Sequence, residues 1–321
     1  MKLSQRLAHQ RSHRAGAVLV AACLLTPATL VACGSSGSSS SSSTGVNGAT
    51  TKVGVQVTGG FGEKPTLTIP STPAPTALTT DVLKQGNGPS VAAGQSIVVN
   101  YLGQTWTPKD GKPYVFDNSY DKKTAAAFPI GVQGLIPGWN KTLVGQKAGS
   151  RLLLTVPPVD GYGTAKDPNQ ELAGQTLLFV VDVLGSYDKG ATATGTPAGA
   201  VPAGLPQVKS ASGAVPQVTS VKGVDTNVKT PTSALLLKGT GAPIDTGKSL
   251  VFQFLQVDPK TGKAAGSSWS DQGPQAAAAS SVVQLVTALK GANVGSRAVA
   301  LLPASGQQAA SIVVVDVLGQ Y

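Results

Sequence analysis

The sequence predicts an α+β chain built as two tandem copies of one fold, each a curled antiparallel sheet wrapped over one short helix. Three observations predict it. First, LIPGWNKTLVGQKAGSR (135–151) reads as a short helix running into a strand. Pro137 suits the first helical turn, Ile136, Trp139 and Leu143 recur on one face, and Gly145 suits a left-handed stop. Second, alternating strand-like segments flank that helix, and a helix so short must be covered by a sheet to persist. Third, the chain repeats itself. VLKQGNGPSVAAGQSIVVNYLG (82–103) aligns with LLKGTGAPIDTGKSLVFQFLQ (236–256). GQKAGSR (145–151) then matches GANVGSR (291–297), and VVDVLGSY (180–187) matches VVDVLGQY (314–321).

Taken in order, residues 1–14 are basic and 15–32 (AGAVLVAACLLTPATLVA) are apolar, the two halves of a secretory signal peptide spanning 1–32. Leu30-Val31-Ala32-Cys33 resembles the lipobox of bacterial lipoproteins, in which the cysteine is lipidated. The competing reading is an uncleaved membrane helix with a chance cysteine. The Ser/Gly-rich stretch 33–49 reads as a flexible tether that holds the rest about 20 Å or more from its anchor.

VGVQV (53–57), TLTIP (66–70), SIVVNYL (96–102), RLLLTV (151–156) and TLLFVVDVL (176–184) read as strands of a first domain, 50–188. Pro157-Pro158 stops the fourth of them. Residues 189–203, small and proline-containing, read as a linker, and 204–321 as the second domain.

The composition excludes much chemistry. Four of the 25 basic residues lie in the leader with no acidic residue, so the remainder, with 21 basic and 15 acidic residues, carries a net +6. Without a basic cluster interleaved with aromatics, nucleic acid is not an expected partner. His9, His13 and Cys23 also lie in the leader, which leaves Cys33 as the single Cys or His of a processed chain. Cys/His zinc sites and histidine-assisted nucleophiles are therefore not expected, and no metal or cofactor is.

Ten of the fifteen aromatics fall between 101 and 187. Tyr101, Phe128, Trp139, Tyr162 and Phe179 should converge there, with Asp117 beside Phe116. This is either an aromatic core with Asp117 capping a turn, or a pocket. GQSIVVNYLG, FDNSYD, LIPGWNKTLVGQKAGSR, PPVDGYG and TLLFVVDVL together resemble the FK506-binding-protein type of peptidyl-prolyl isomerase over about 85–187.

That resemblance implies a substrate pocket of Tyr101, Phe116, Asp117, Phe128, Leu135, Ile136, Trp139, Tyr162 and Phe179. It assigns Trp139 to the floor, the Ile136 N–H and Tyr162 hydroxyl to substrate carbonyls, and Asp117 to orienting polar groups at the rim. It also implies proline-containing polypeptides as substrates and FK506-like macrolides as inhibitors. The reaction needs no nucleophile, proton relay or metal, because the barrier of about 18–20 kcal/mol comes from amide resonance. The loop TAKDPNQELAGQ (164–175) departs from the family in lacking a histidine and paired prolines, with Leu172 as its apolar wall.

In the second copy, local alignment sets Phe254 at Tyr101, Ser267-Ser268 at Phe116-Asp117, Leu285 at Trp139 and Val313 at Phe179. PASGQQAA (303–310) is a shorter loop, and Trp269 reads as core. This copy is expected to be a degenerate, non-catalytic domain. The leading reading is a lipid-anchored extracytoplasmic isomerase assisting the folding of secreted or cell-envelope proteins. The alternative is a non-catalytic chaperone or interaction lipoprotein. A solute-binding lipoprotein fits poorly, since it would need two α/β lobes.

Overall fold

The computed structural model describes residues 49–164, 171–305 and 309–321. The leader, Cys33 and nearly all of the tether lie outside the described residues, as do parts of the loops 164–175 and 303–310.

The first copy begins with β1 (Ala49–Thr50), β2 (Gln56–Thr58) and β3 (Thr66–Thr68), a small antiparallel sheet of its own. The main sheet follows: β4 (Thr79–Lys84), β5 (Ser96–Thr105), β6 (Val115–Asn118), β7 (Ala126–Pro129), α1 (Pro137–Leu143), β8 (Arg151–Val156) and β9 (Leu177–Tyr187). Its order is β4-β8-β9-β5-β6, with β7 also on β5, and every pairing is antiparallel. Pro137 occupies the first helical position, where its missing N–H breaks no intrahelical bond. The helix stops at Leu143, and Gly145 (φ +87°) turns the chain towards β8.

Alternation puts Ile97, Val99 and Tyr101 of β5 on the same face as Leu177, Phe179, Val181 and Val183 of β9. With Trp139 and Leu143 of α1 they form one core. The other face is buried as well. Leu102, Trp106, Leu153, Leu178 and Val180 lie under Val57 and Leu67 of the small sheet and Val55 of the turn before β2. The sequence reading placed a strand over 53–57, but the chain turns until Gln56, with the Gly54 N–H donating to the Thr51 carbonyl at 2.9 Å.

A buried ion pair stitches the two layers. Arg151 Nε and Nη2 donate to Asp182 at 2.6 and 2.8 Å, while Nη2 also reaches the Glu63 carbonyl at 2.7 Å. The Gly62 N–H returns a 2.7 Å bond to Asp182. With its spare donors and acceptors satisfied, this pair ties the hairpin to the sheet.

The same design recurs in β10 (Thr196–Pro197), β11 (Gln207–Lys209), β12 (Gln217–Ser220), β13 (Thr232–Lys238), β14 (Ser249–Val257), β15 (Ala264–Ser267), β16 (Gln275–Ala278), α2 (Val283–Ala288), β17 (Arg297–Leu302) and β18 (Ser311–Gln320). The order is β10-β13-β17-β18-β14-β15, with β16 on β14, so the first sheet's connectivity is reproduced with β10 added at one edge. Arg297 and Asp316 repeat the buried pair at 2.5 and 2.7 Å, and Arg297 reaches the carbonyls of Ala211 and Ala214 beside the β11–β12 hairpin.

Residues 189–203, expected as a linker, are built into this second unit. β10 pairs with β13, the Ala193 N–H donates to Asp316 at 2.7 Å, and the Ala191 carbonyl accepts from Trp269 Nε1 at 2.9 Å. Overall the chain is mostly antiparallel sheet. Among the described residues the helical share is one seven-residue and one six-residue α-helix, plus two three-residue 3-10 turns (Pro158–Asp160 and Ala279–Ser281).

The two sheets meet along a seam related by the repeat. Val98, Ala125 and Val251 are its buried centre, with Ala127, Leu184, Ala276 and Leu318 around them. The Tyr187 and Tyr321 hydroxyls, which end the two matching VVDVLGxY segments, bond to each other at 2.8 Å. The Ala125 N–H crosses the seam to Ser249 Oγ at 2.9 Å.

Candidate functional site

Trp139 sits at the hub of the first core and is 1 % exposed. Three rings meet it edge-on: Tyr101 at 5.6 Å, Phe128 at 5.4 Å and Phe179 at 5.4 Å between centroids, with interplanar angles of 84–89°. Tyr101 and Phe128 also touch at 5.9 Å, and Phe116 stands edge-on to Phe179 at 5.6 Å. The indole's polar edges and electron-rich faces explain the T-shaped geometry. Trp139 Nε1 is buried with no hydrogen-bond partner among the described residues. Such a donor carries a desolvation cost that a bound acceptor would relieve.

The strands determine which rings meet. Gly103 of β5 pairs with Phe179 of β9 and with Asp117 of β6. A Cβ at Gly103 would lie 2.7 Å from the Phe116 ring and 3.0 Å from Phe179, so glycine there is what lets these two rings close.

Asp117 is buried beside the rings. It accepts from the Tyr101 hydroxyl at 2.9 Å and is paired with Lys122 Nζ. Burial first, and the Asp117 carboxylate second, push the Tyr101 phenol well above its ordinary value and keep it a donor. Lys122 also lies 5.9 Å from the Tyr101 ring centroid. The sequence reading gave Lys122 no role. Its signal was position alone, five residues after Asp117 on a turn that folds back.

Helix α1 and the turn after β8 frame the other side. Ile136 is buried at the helix start with an extended backbone (φ −60°, ψ 143°), and Leu135 is half-buried beside it. The 3-10 turn Pro158–Asp160 leads to Tyr162, which packs half-buried against the same core. Lys141 of α1 donates to Asp160 at 2.6 Å and holds that turn to the helix. Leu172, expected as a loop wall, is 4 % exposed and part of the same core. All nine residues singled out from the sequence therefore stand in or against one cluster.

An open cleft of about 1360 Å³ begins at Tyr101, Phe128 and Leu135. It runs along β7 rather than directly over Trp139.

The second copy has no such box. Phe254 occupies the Tyr101 position, because both backbone N–H groups donate to a serine Oγ at 2.9 Å, Ser119 in one copy and Ser268 in the other. That bond corrects the alignment: Ser268 corresponds to Ser119, so Ala265 and Gly266, not Ser267 and Ser268, stand at Phe116 and Asp117. The cause is the connection between the two strands, which spans 18 residues from Tyr101 to Ser119 and 14 from Phe254 to Ser268, while the register shift itself is the same in both copies. Leu285 and Val313 stand at Trp139 and Phe179, and Ala277 faces Leu250 as Phe128 faces Ile97. Phe252 and Phe254 remain, tilted at 6.4 Å. Trp269 is half-buried and fastens the chain at Ala191 instead.

Residues 88–184 match the family model described as FKBP-type peptidyl-prolyl cis-trans isomerase. Over 122 residues the chain is 34% identical to a probable FK506-binding protein of Corynebacterium glutamicum, covering 38% of this chain and 98% of the relative. It is 32% identical over 123 residues to an FK506-binding protein of Streptomyces anulatus, covering 38% and 96%. Among solved structures, the crystal structure of FkpA from Escherichia coli aligns at 34% identity and a TM-score of 0.30, covering 35% of this chain and 49% of that one.

Proposed function

The chain belongs to the FKBP-type peptidyl-prolyl cis-trans isomerase family, and from that premise we propose that the first repeat carries the activity, at the pocket centred on Trp139. The observation that supports this most is the set of three rings standing edge-on to a buried indole beside the Tyr101–Asp117 pair. An X–Pro bond resists rotation because twisting destroys amide resonance, a barrier of about 18–20 kcal/mol. The twisted amide is less polar than the planar one. A dry aromatic pocket gripping the proline ring favours it over both planar isomers. Each ~1.4 kcal/mol of that preference gives tenfold in rate.

In this reading Trp139 floors the proline ring, and Tyr101, Phe116, Phe128, Phe179 and Leu135 wall it. The Ile136 N–H and the Tyr162 hydroxyl bind carbonyls of the substrate or of an FK506-like macrolide. Asp117, fixed by Tyr101 and Lys122, orients polar groups at the rim. The second repeat, whose matching positions hold Leu285, Ala277 and Val313, is a non-catalytic domain on the same scaffold. The test is cis–trans exchange of a proline tetrapeptide by the full-length chain. Acceleration abolished by stoichiometric FK506-like macrolide is expected, and an unaccelerated exchange overturns the assignment.

The location is part of the same proposal. The basic and apolar leader ending in Leu30-Val31-Ala32-Cys33 supports a mature chain beginning at Cys33, lipid-anchored outside the cytoplasm and acting on secreted or envelope polypeptides. A single acyl chain anchors only marginally, whereas two or more hold firmly. Cys33→Ala should therefore leave an unprocessed chain without acyl groups. Acyl mass retained in that variant refutes the anchor.

A further inference from the structure

The cleft that opens at Tyr101 and Phe128 is not closed by the first repeat. It runs over the small side chains of Ala126 and Ala127 on β7 and is walled on its far side by Gln272, Gln275 and Ala276 of the second repeat. Resting on the isomerase reading of the Trp139 pocket, we propose that the second repeat forms the outer wall of the substrate groove. Its Gln272 and Gln275 would bind the backbone of an extended polypeptide next to the proline held in the first repeat.

Three features carry this. The groove is continuous with the pocket, since Tyr101 and Phe128 belong to both. Its chemistry suits backbone rather than a charged ligand. Its two cations, Lys122 and Lys141, are paired with Asp117 and Asp160, and its remaining polar walls include the amides Gln133, Gln272 and Gln275. Asn140 is spent on the loop beside it, accepting from the Gly131 N–H and donating to the Val132 carbonyl at 2.9 Å each. Amides both donate and accept, as successive peptide groups require. Gln275 is already set for this: its Nε2 donates to the Gly273 carbonyl at 2.9 Å, which fixes the side chain and leaves Oε1 as an acceptor for a peptide N–H.

The wall is also held in place. β16, which carries Gln275 and Ala276, packs on β7, and the seam beneath is buried at Val98, Ala125 and Val251. The Ala125–Ser249 and Tyr187–Tyr321 bonds cross it. A wall fixed before binding spares a substrate the entropic loss of ordering a loop. The repeat that lacks the aromatic box thereby gains a role in substrate recognition.

The experiment compares two substrates in the full-length chain. One is a proline tetrapeptide, which fills the pocket and little more. The other is a reduced, unfolded protein whose refolding is limited by one prolyl isomerisation. The Gln272→Ala/Gln275→Ala double variant should keep kcat/KM on the tetrapeptide within twofold. On the protein it should lose at least fivefold, mostly through KM, and circular dichroism should be unchanged. An unchanged protein rate, or an equal fall on both substrates, overturns the groove while leaving the isomerase assignment standing. Failure of the unmodified chain on the tetrapeptide overturns the isomerase assignment, and the groove falls with it.

Discussion

At the scale of single residues, the two repeats supply their own controls. Leu285 is buried in the second core where Trp139 stands in the first, so the scaffold accepts leucine there. Trp139→Leu should fold with a loss of ~1–3 kcal/mol from altered core volume. It should lose most macrolide binding and much of kcat/KM, because three rings lose the surface they rest on. Tyr162→Phe keeps the ring and removes one hydroxyl, a bond worth ~0.5–1.5 kcal/mol, so a fall of about tenfold or less is expected. Tetrapeptide exchange and macrolide titration rank the two, and a folded Trp139→Leu chain with full activity places the pocket elsewhere. That the nine positions singled out from the sequence stand in or against one cluster was legible, because their motifs come in a fixed order around the helix. Lys122 was not, since a lysine in a polar turn carries no periodic signal. The correspondence of Gly266 to Asp117 was hidden by the shorter connection of the second repeat, 14 residues from Phe254 to Ser268 against 18 from Tyr101 to Ser119.

At the scale of elements, the helix, β8 and β9 could be read directly, since Pro137, the Ile136/Trp139/Leu143 spacing and Pro157-Pro158 are local signals. The covering hairpins could be read only in part: TLTIP contains β3 and VGVQV overlaps β2, but β11 and β12 were not marked as strands and no reading set either pair over the sheet. A strand alternates when one face meets water, but RLLLTV and TLLFVVDVL are apolar at nearly every position, the mark of strands buried on both faces. Those runs held the information that something must cover the second face. What covers it, β1–β3 in one copy and β11–β12 in the other, is decided by long-range contacts such as Arg151 to the Glu63 carbonyl. This changes how the repeats should be separated. A fragment beginning at 204 would lack β10 and the Ala193 bond to buried Asp316, so the second unit should be cut at 189. Fragment 49–188 should accelerate X–Pro exchange and fragment 189–321 should not. Equal rates from the two would refute the view that the second copy is non-catalytic.

At the scale of the whole molecule, the question is whether two units act as one body, and the seam offers a sharp test. Gly185 and Gly319 are matching residues of the two repeats, and each lies under the other repeat's terminal tyrosine. A Cβ at Gly319 would sit 2.0 Å from the Tyr187 hydroxyl, and one at Gly185 would sit 2.3 Å from that of Tyr321. Gly319→Val must therefore displace Tyr187 and break its bond to Tyr321. The broken bond costs ~0.5–1.5 kcal/mol and the overpacking ~1–3 kcal/mol. Neither falls inside an aromatic box, so tetrapeptide exchange should stay within twofold. The unmodified chain should unfold in one calorimetric transition, because each repeat buries apolar surface on the other. Gly319→Val should split it into two, the lower belonging to the second repeat, whose core holds fewer rings. Tyr187→Phe is the milder comparison: it removes the hydroxyl bond without a clash and should lower the single transition by about 2–4 °C. A single transition at the original temperature in Gly319→Val would mean that the repeats are not coupled through this seam. If instead the transition splits and only the protein substrate slows, the position of the second repeat, and not merely its presence, sets how long a polypeptide the isomerase can grip.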